Sequence, residues 1–345
     1  MRRLCIISVI ISLFLLNCGN KQERLVIYTE GGMFPQEILD GFQKETGIRV
    51  QYVPYESNES MFAKLEAANG GEFDLIIADD YMVENVVQAG LAQKLDRSKI
   101  ANFGNINPVF QGQFYDPADD FTVPYLAGIV MLVYNPSQVP EPITSYKDLW
   151  HPGLANKVGL VDQFRVVNGM ALKVLGESYN TNDLDVIQKA GDLLQDLAPN
   201  IRLFSNQTLD DEIIAGEIAA ALMFTSQRTR AVMTKPELQW LFPNEGIGFG
   251  IMPAFIPVKA PNPDAAHAFL KYILDPQRGA AIFEYLGFYS TFSASDPYID
   301  PELREFLTLP SDIDRNSMEM IGNVNDEARD LHNQIFTAFK QKAGR

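Results

Sequence analysis

Short apolar runs alternate with amphipathic stretches from Leu25 to Gly90. The runs at 25–29, 49–53 and 73–78 predict strands. Between them, Ile38, Leu39 and Phe42 fall on one face of a helix that begins near Pro35, runs to about Lys44 and is stopped by Gly47. A second helix is predicted over 61–68, ended by Gly70-Gly71. A third covers 81–89, with Met82, Val83, Val86 and Val87 on one face and Gly90 closing it. Continuous apolar strands between amphipathic helices predict a parallel sheet covered on both sides.

The pattern then changes. FTVPYLAGIVMLVY (121–134) and IGFGIMPAFIPV (247–258) are apolar runs longer than an ordinary strand. A second set of predicted elements lies between them, with strands at 158–161, 201–204 and 218–224 and helices near 167–175, 184–197 and 209–214. Helices at 264–274 and 279–286 follow. Two long strands flanking an inserted α/β unit predict a chain that crosses to a second lobe and returns. The expected fold class is α/β, with two discontinuous lobes joined by a two-strand hinge. Lobe 1 is expected to hold 25–127 plus 250–296, and lobe 2 to hold 128–249 plus 297–345. At 345 residues and 46% hydrophobic content, the chain is long enough for two cores. It shows no internal repeat.

The amino-terminal end adds a destination. Met1-Arg2-Arg3 is a basic start, and 4–16 is an apolar run too short to span a bilayer comfortably, which predicts a signal peptide over 1–17. Leu15-Leu16-Asn17-Cys18 resembles a bacterial lipoprotein cleavage site. Cys5 and Cys18 are the only cysteines, so no disulfide framework exists in an exported chain and Cys18 has no partner there. The expectation is a lipidated linker over 18–24, anchored to the membrane through Cys18 and exposed to the periplasm. The net charge is −16, and −18 without the two arginines of the leader. That balance argues against nucleic acid as a partner.

Enzyme chemistry finds little support. The sequence has no GxSxG, no P-loop, no HExxH and no cysteine cluster. His151, His267 and His332 are far apart, and His267, on a predicted helix among alanines, reads as a structural residue. No cofactor or metal is expected. A secreted hydrolase would need a nucleophile–base pair in the cleft, and an adhesive or sensory surface lipoprotein would need an exposed apolar patch away from it.

Three strand ends carry polar groups beside aromatics: Tyr28-Thr29-Glu30, Asp79-Asp80-Tyr81 and Phe224-Thr225-Ser226. Ligands of open parallel sheets bind outside these carboxyl ends. A carboxylate there is unusual, because free N–H groups at helix starts favour anions. Glu30 therefore reads either as a local cap or as the receiver of a cation. One of Asp79 and Asp80 is expected to cap the following helix and one to face the cleft. Carboxylates with aromatic faces suit an organic ammonium group. Gly31-Gly32 is expected to let backbone approach the ligand.

KETGI (44–48), YESNES (55–60), AKLEA (63–67), QKLD (93–96), VPY (123–125), DLWHP (148–152) and MALKVLG (170–176) together resemble the spermidine/putrescine-binding proteins of bacterial polyamine ABC transporters. The resemblance runs from about Leu25 to Arg345. It implies a two-lobed periplasmic-binding-protein fold of type II kind that closes on its ligand, a monomer serving an ABC permease. It also implies a ligand-binding set of Tyr28, Thr29, Glu30, Asp79, Asp80, Tyr81, Gln163, Phe224, Met252 and Phe288. Tyr28 and Phe224 stand where the family has tryptophan, Asp79 replaces a serine, and Phe288 replaces a tyrosine. Family acids are lost at Gln163, Val166 and Met252, and Gly250 stands where a tryptophan is usual. Asp79 is expected to compensate for the acid missing at Met252. Fewer acids imply fewer ammonium groups, hence putrescine ahead of spermidine, or a different small organic solute.

Overall fold

The computed structural model describes residues 23–310 and 315–344. The predicted leader and Cys18 lie outside the described residues.

The first lobe is built on β1 (Arg24–Thr29), β2 (Arg49–Pro54) and β3 (Leu75–Ile77), alternating with α1 (Gln36–Thr46), α2 (Asn58–Ala67) and α3 (Asp80–Gln88). β1 pairs in parallel with both β2 and β3. Its alternation divides the core. Leu25 and Ile27 pack with Ile38, Leu39 and Phe42 on one face, while Val26 and Tyr28 pack with Met61, Leu65 and Val83 on the other. The sheet is covered on both sides, as its apolar runs require. Gly47 ends α1 in the left-handed conformation (φ 75°), which glycine adopts without strain.

The long runs form β4 (Thr122–Tyr134) and later β9 (Ile247–Phe255). Between them lie β5 (Val158–Leu160), α4 (Phe164–Val174), α5 (Leu184–Leu197), β6 (Ile201–Phe204), α6 (Leu209–Ala215), β7 (Ala220–Phe224), α7 (Thr225–Thr234) and β8 (Gln239–Leu241). β5 pairs in parallel with β6 and β7. After β9 come α8 (Pro263–Ile273), α9 (Pro276–Leu286), α10 (Pro301–Leu307), β10 (Met318–Met320) and α11 (Asp326–Lys342).

β4 and β9 are the crossing strands. They pair antiparallel with each other from Thr122 to Ile129. β9 then pairs antiparallel with β3, and the far end of β4 does so with β7 and β8. The strand order is β2-β1-β3-β9-β4-β7-β5-β6. The parallel sheets predicted for each half are therefore joined through an antiparallel pair. The β4–β9 register shifts once, between Pro124 and Leu126, which turns the following side chains of β4 to the opposite face.

Two boundaries differ from expectation. The segment 297–307 touches both lobes: Ile299 and Leu307 pack against Ala280 of α9, while Phe306 packs on the second-lobe core and its carbonyl accepts the Arg228 guanidinium of α7 (2.6 Å). α11 joins the second lobe, burying Ala328, Ile335, Phe336 and Phe339 among residues of α4 and α5. The apolar run at 73–78 yields a strand of three residues, flanked by Asp74, whose carboxylate accepts the N–H groups of Val26 (2.8 Å) and Asn262 (2.6 Å).

Candidate functional site

A cavity of about 710 Å³ opens between the lobes. Its floor is made by the crossing strands: Leu126, Gly128 and Val130 of β4, and Gly248 to Met252 of β9. One wall comes from the loops after β1 and β3 and from α2, the other from the start of α4 and from α11. Eight of the ten residues expected at the site line this cavity: Glu30, Asp79, Asp80, Tyr81, Gln163, Phe224, Met252 and Phe288. Val166 and Gly250 line it as well.

Tyr28 and Thr29 do not. Tyr28 is 5% exposed, stacked on Phe73 with ring centroids 4.0 Å apart and set edge-on to Tyr55 at 5.3 Å. The alternation of β1 turns its ring into the core, and the Lys64 ammonium sits over it. Thr29 is fully buried and its hydroxyl has no hydrogen-bond partner. Gly31 and Gly32 also lie outside the lining; Gly32 has φ 78° and serves the turn.

Glu30 caps no helix: α1 starts at Pro35 without a side-chain bond. The Tyr52 hydroxyl donates to the Glu30 carbonyl, which fixes the turn and leaves the carboxylate at the cavity. Desolvation by the surrounding protein raises its pKa above the ordinary value.

The two aspartates divide their roles differently from the expected cap and ligand. Asp79 is at the N-cap position of α3 but makes no capping bond. Its Oδ2 accepts the Asn58 amide (2.8 Å), and its own N–H donates to Asn58 Oδ1 (3.1 Å). Burial, then the charge of Glu30, pushes its pKa up to about 6. Asp80 is 6% exposed and holds the floor in place, accepting the N–H groups of Ile251 (2.7 Å) and Tyr81 (2.7 Å). Burial pushes its pKa up to about 7. Gly250 eases this approach, since a Cβ there would stand 3.3 Å from Asp80 Oδ2, closer than ordinary contact.

Sequence reasoning missed Glu59, whose Oε1 accepts the Tyr81 hydroxyl (3.0 Å). It lies in the quoted YESNES, but an acid in a first helical turn reads as a partner for the helix dipole. Arg329 and Asn333 of α11 were missed as well. Their spacing of four places them on one helix face, and they become visible only once that helix is recognised. Asn323 of the segment before α11 donates to Glu84 and, at 3.4 Å, to the Tyr81 carbonyl. It thereby links the two sides of the cavity.

All four lining carboxylates, Glu30, Glu59, Asp79 and Asp80, stand on the first lobe. Tyr81 and Phe224 supply aromatic surface. Such a wall favours positive charge, and water screens it least at the buried Asp80 and the half-buried Asp79, since Glu30 and Glu59 are exposed. No group of acids, histidines or cysteines among the described residues is arranged to hold a metal ion. None of the three histidines lines the cavity. His267 is buried, accepting the Asp96 N–H through Nε2 (2.9 Å), and so has the structural role its sequence context predicts.

Comparison with known proteins agrees with this architecture. The bacterial extracellular solute-binding protein family matches residues 37–304. The spermidine/putrescine-binding periplasmic protein of Salmonella typhimurium is 32% identical over 328 residues, covering 95% of this chain and 94% of its own. The putrescine-binding periplasmic protein of Escherichia coli is 28% identical over 305 residues, 83% and 82% of the two chains. Among solved structures, a spermidine/putrescine ABC transporter substrate-binding protein from Streptococcus pneumoniae superposes with a TM-score of 0.85. It is 29% identical and covers 93% of this chain and 99% of that one. A lipoprotein of Treponema pallidum gives a TM-score of 0.79 at 25% identity, covering 92% and 99%. Two-lobed architecture, crossing strands and family match converge: the chain belongs to the bacterial extracellular solute-binding proteins, in the family of the spermidine/putrescine-binding periplasmic proteins.

Proposed function

We propose that this protein captures a polyamine, putrescine in preference to spermidine, between its lobes and delivers it to an ABC transporter permease. The observation that carries this reading is the wall formed by Glu30, Glu59 and Asp79 beside Tyr81, facing Phe224 across the crossing strands. Carboxylates offset the desolvation of an ammonium group, and each aromatic face adds on the order of 0.5–2 kcal/mol by cation–π attraction. The apolar floor of Leu126, Val130, Ile251 and Met252 suits the methylenes between two ammonium groups.

The names of the relatives support a polyamine as ligand and the permease as partner. The placement of β4 and β9 supports a hinge motion, in which these strands bend and the lobes close. Anchoring through a lipid on Cys18, on the periplasmic side of a membrane, belongs to the same reading. The leader pattern supports it, as does the likeness to a Treponema lipoprotein. In the plain binding cycle the protein acts as a monomer without a cofactor.

The preference follows from where the acids are. The second lobe offers Gln163 and Val166, both uncharged, so a third ammonium group finds no carboxylate there. Equilibrium competition between the two polyamines on the chain lacking residues 1–18 should give putrescine the lower Kd, by roughly tenfold for one missing charge pair. A clearly lower Kd for spermidine would overturn the preference while leaving polyamine capture intact.

A further inference from the structure

We propose that Arg228 and Tyr289 form a latch behind the hinge, in which free N–H groups of the guanidinium take the tyrosine hydroxyl when the lobes close, so that a bond unmade in the empty chain favours the ligand-holding form. The proposal rests on the lobe closure read above and uses a polyamine only as its probe.

Arg228 lies on α7 of the second lobe and is fully buried. Its Nη2 donates to the Phe306 carbonyl (2.6 Å), while Nε and Nη1 are buried without a partner. Aromatic faces surround the charge instead. The guanidinium carbon is 4.3 Å from the ring centroid of Trp240 on β8, and 5.3 Å from those of Tyr289 and Phe306. Tyr289 belongs to the other side of the hinge. It packs in a first-lobe core and bridges Ala127 of β4. Its hydroxyl is also buried without a hydrogen-bond partner. Burial pushes its pKa up to about 12, and the neighbouring guanidinium opposes that rise. Two idle donors and an unmet hydroxyl therefore share one aromatic cage. Leaving such groups unpaired is costly, and one bond between them would satisfy both residues.

The cage stands where a rotation of the lobes becomes a small displacement. The Thr225 hydroxyl donates to the Ile129 carbonyl of β4 (3.0 Å), which pins the start of α7 to the crossing strand. The Thr229 hydroxyl reaches the Gly287 carbonyl at 3.4 Å, so α7 and the segment carrying Tyr289 touch beside the pivot. Both sides of the cage also lead to the cavity. Phe224, one helical turn before Arg228, lines it, and so does Phe288, next to Tyr289. A ligand that draws these two rings together shifts Arg228 against Tyr289. The cavity of about 710 Å³ is of a size that suits a drug-sized molecule and holds a short diamine loosely, so the ligand-holding form is narrower. The latch forms as the cavity narrows.

Tyr289→Phe removes the hydroxyl and keeps the ring. Titration of putrescine into the chain lacking residues 1–18 is expected to give a Kd about tenfold higher in this variant, because a less favourable closed form lowers the apparent affinity in proportion. Without ligand, the variant is expected to melt within about 1 °C of wild type or slightly above it, since the hydroxyl has no partner to lose. An unchanged Kd would show that closure does not use the bond. An unliganded melting temperature several degrees lower would show that the hydroxyl is already engaged in the empty chain. Either result would overturn the proposal.

Arg228→Met identifies the partner of the hydroxyl. In that background, Tyr289→Phe is expected to change the Kd by less than about twofold. A full tenfold change there would assign the hydroxyl to another group and overturn the pairing. Where Arg228→Met does not fold, Tyr289→Phe carries the test alone. A wild-type chain that binds neither putrescine nor spermidine would overturn the polyamine reading itself. The latch is then decided by the unliganded melting comparison, where a lower temperature for Tyr289→Phe overturns it and an equal or higher one supports it.

Discussion

Asp79→Asn is expected to weaken putrescine binding about tenfold to a hundredfold, the range of one charge-assisted hydrogen bond at about 1.5–3 kcal/mol. Asp79 stands where the family resemblance implies a serine, and it faces a cavity whose floor has Met252 where an acid is implied. Asparagine keeps the bond from the Asn58 amide and removes only the charge, so the change isolates the ionic contribution. The pH dependence supplies a second readout. In the empty cavity Asp79 has its pKa pushed up to about 6, first by burial and then by Glu30. A bound ammonium group favours the ionised form and lowers that pKa. Affinity is therefore fully present above about pH 6 and falls as acid protonates the empty site. In Asp79→Asn this fall should shrink, leaving the part due to the other carboxylates.

The same substitution should act oppositely on stability. The folded-state pKa of Asp79 lies above its unfolded value, so its ionised form costs stability above about pH 6, and the cost fades as pH drops through that value. The unliganded variant should melt at a higher temperature than wild type at pH 7.5, with a smaller gap at pH 5. Unchanged affinity in Asp79→Asn would remove Asp79 from the binding set.

Asp80→Ala is expected to destabilise the protein by about 2–4 kcal/mol, because it leaves two N–H groups without their acceptor, one of them deeply buried. The Ile251 N–H lies in the middle of β9, and Asp80 is its partner at 2.7 Å across the cavity floor. The loss should appear as a lower denaturant midpoint with little change in slope. Because Gly250, Ile251 and Met252 form that floor, binding should weaken too, even at temperatures where the variant is folded. Asp80→Asn retains one acceptor oxygen and should fall between wild type and alanine. A midpoint unchanged in Asp80→Ala would show that β9 keeps its position without this contact.

Much of this architecture was legible in the apolar periodicity. The strand runs at 25–29, 49–53 and 201–204, the helix over 184–197 and the two long crossing strands are where the sequence places them. The polar strand ends did lead to the cavity, because parallel strands all deliver their carboxyl ends to one side of a sheet. What periodicity does not encode is the direction a strand-end side chain takes once neighbours compete for it. Tyr28 could face either the ligand or Phe73, and the partner that wins lies 45 residues along the chain.

The division of labour between Asp79 and Asp80 was hidden for a similar reason. It depends on Ile251, 171 residues from Asp80 and brought alongside only by the pairing of β9 with β3. The segment at 297–307 could not be placed from periodicity, because α10 is a short helix whose Leu307 covers α9 while its Phe306 also meets the second-lobe core.

The central claim is that the first-lobe carboxylates exist to receive an ammonium group. Calorimetric titration of putrescine into the chain lacking residues 1–18, beside the same titration of Glu30→Gln, tests it most directly. Glu30 makes no capping bond and its carboxylate faces the cavity, so the substitution removes charge with little effect on the fold. The account predicts binding at about micromolar Kd or tighter, near −8 kcal/mol, weakened at least tenfold in Glu30→Gln. Absence of binding by the wild-type chain, or equal affinities for the two proteins, would contradict it.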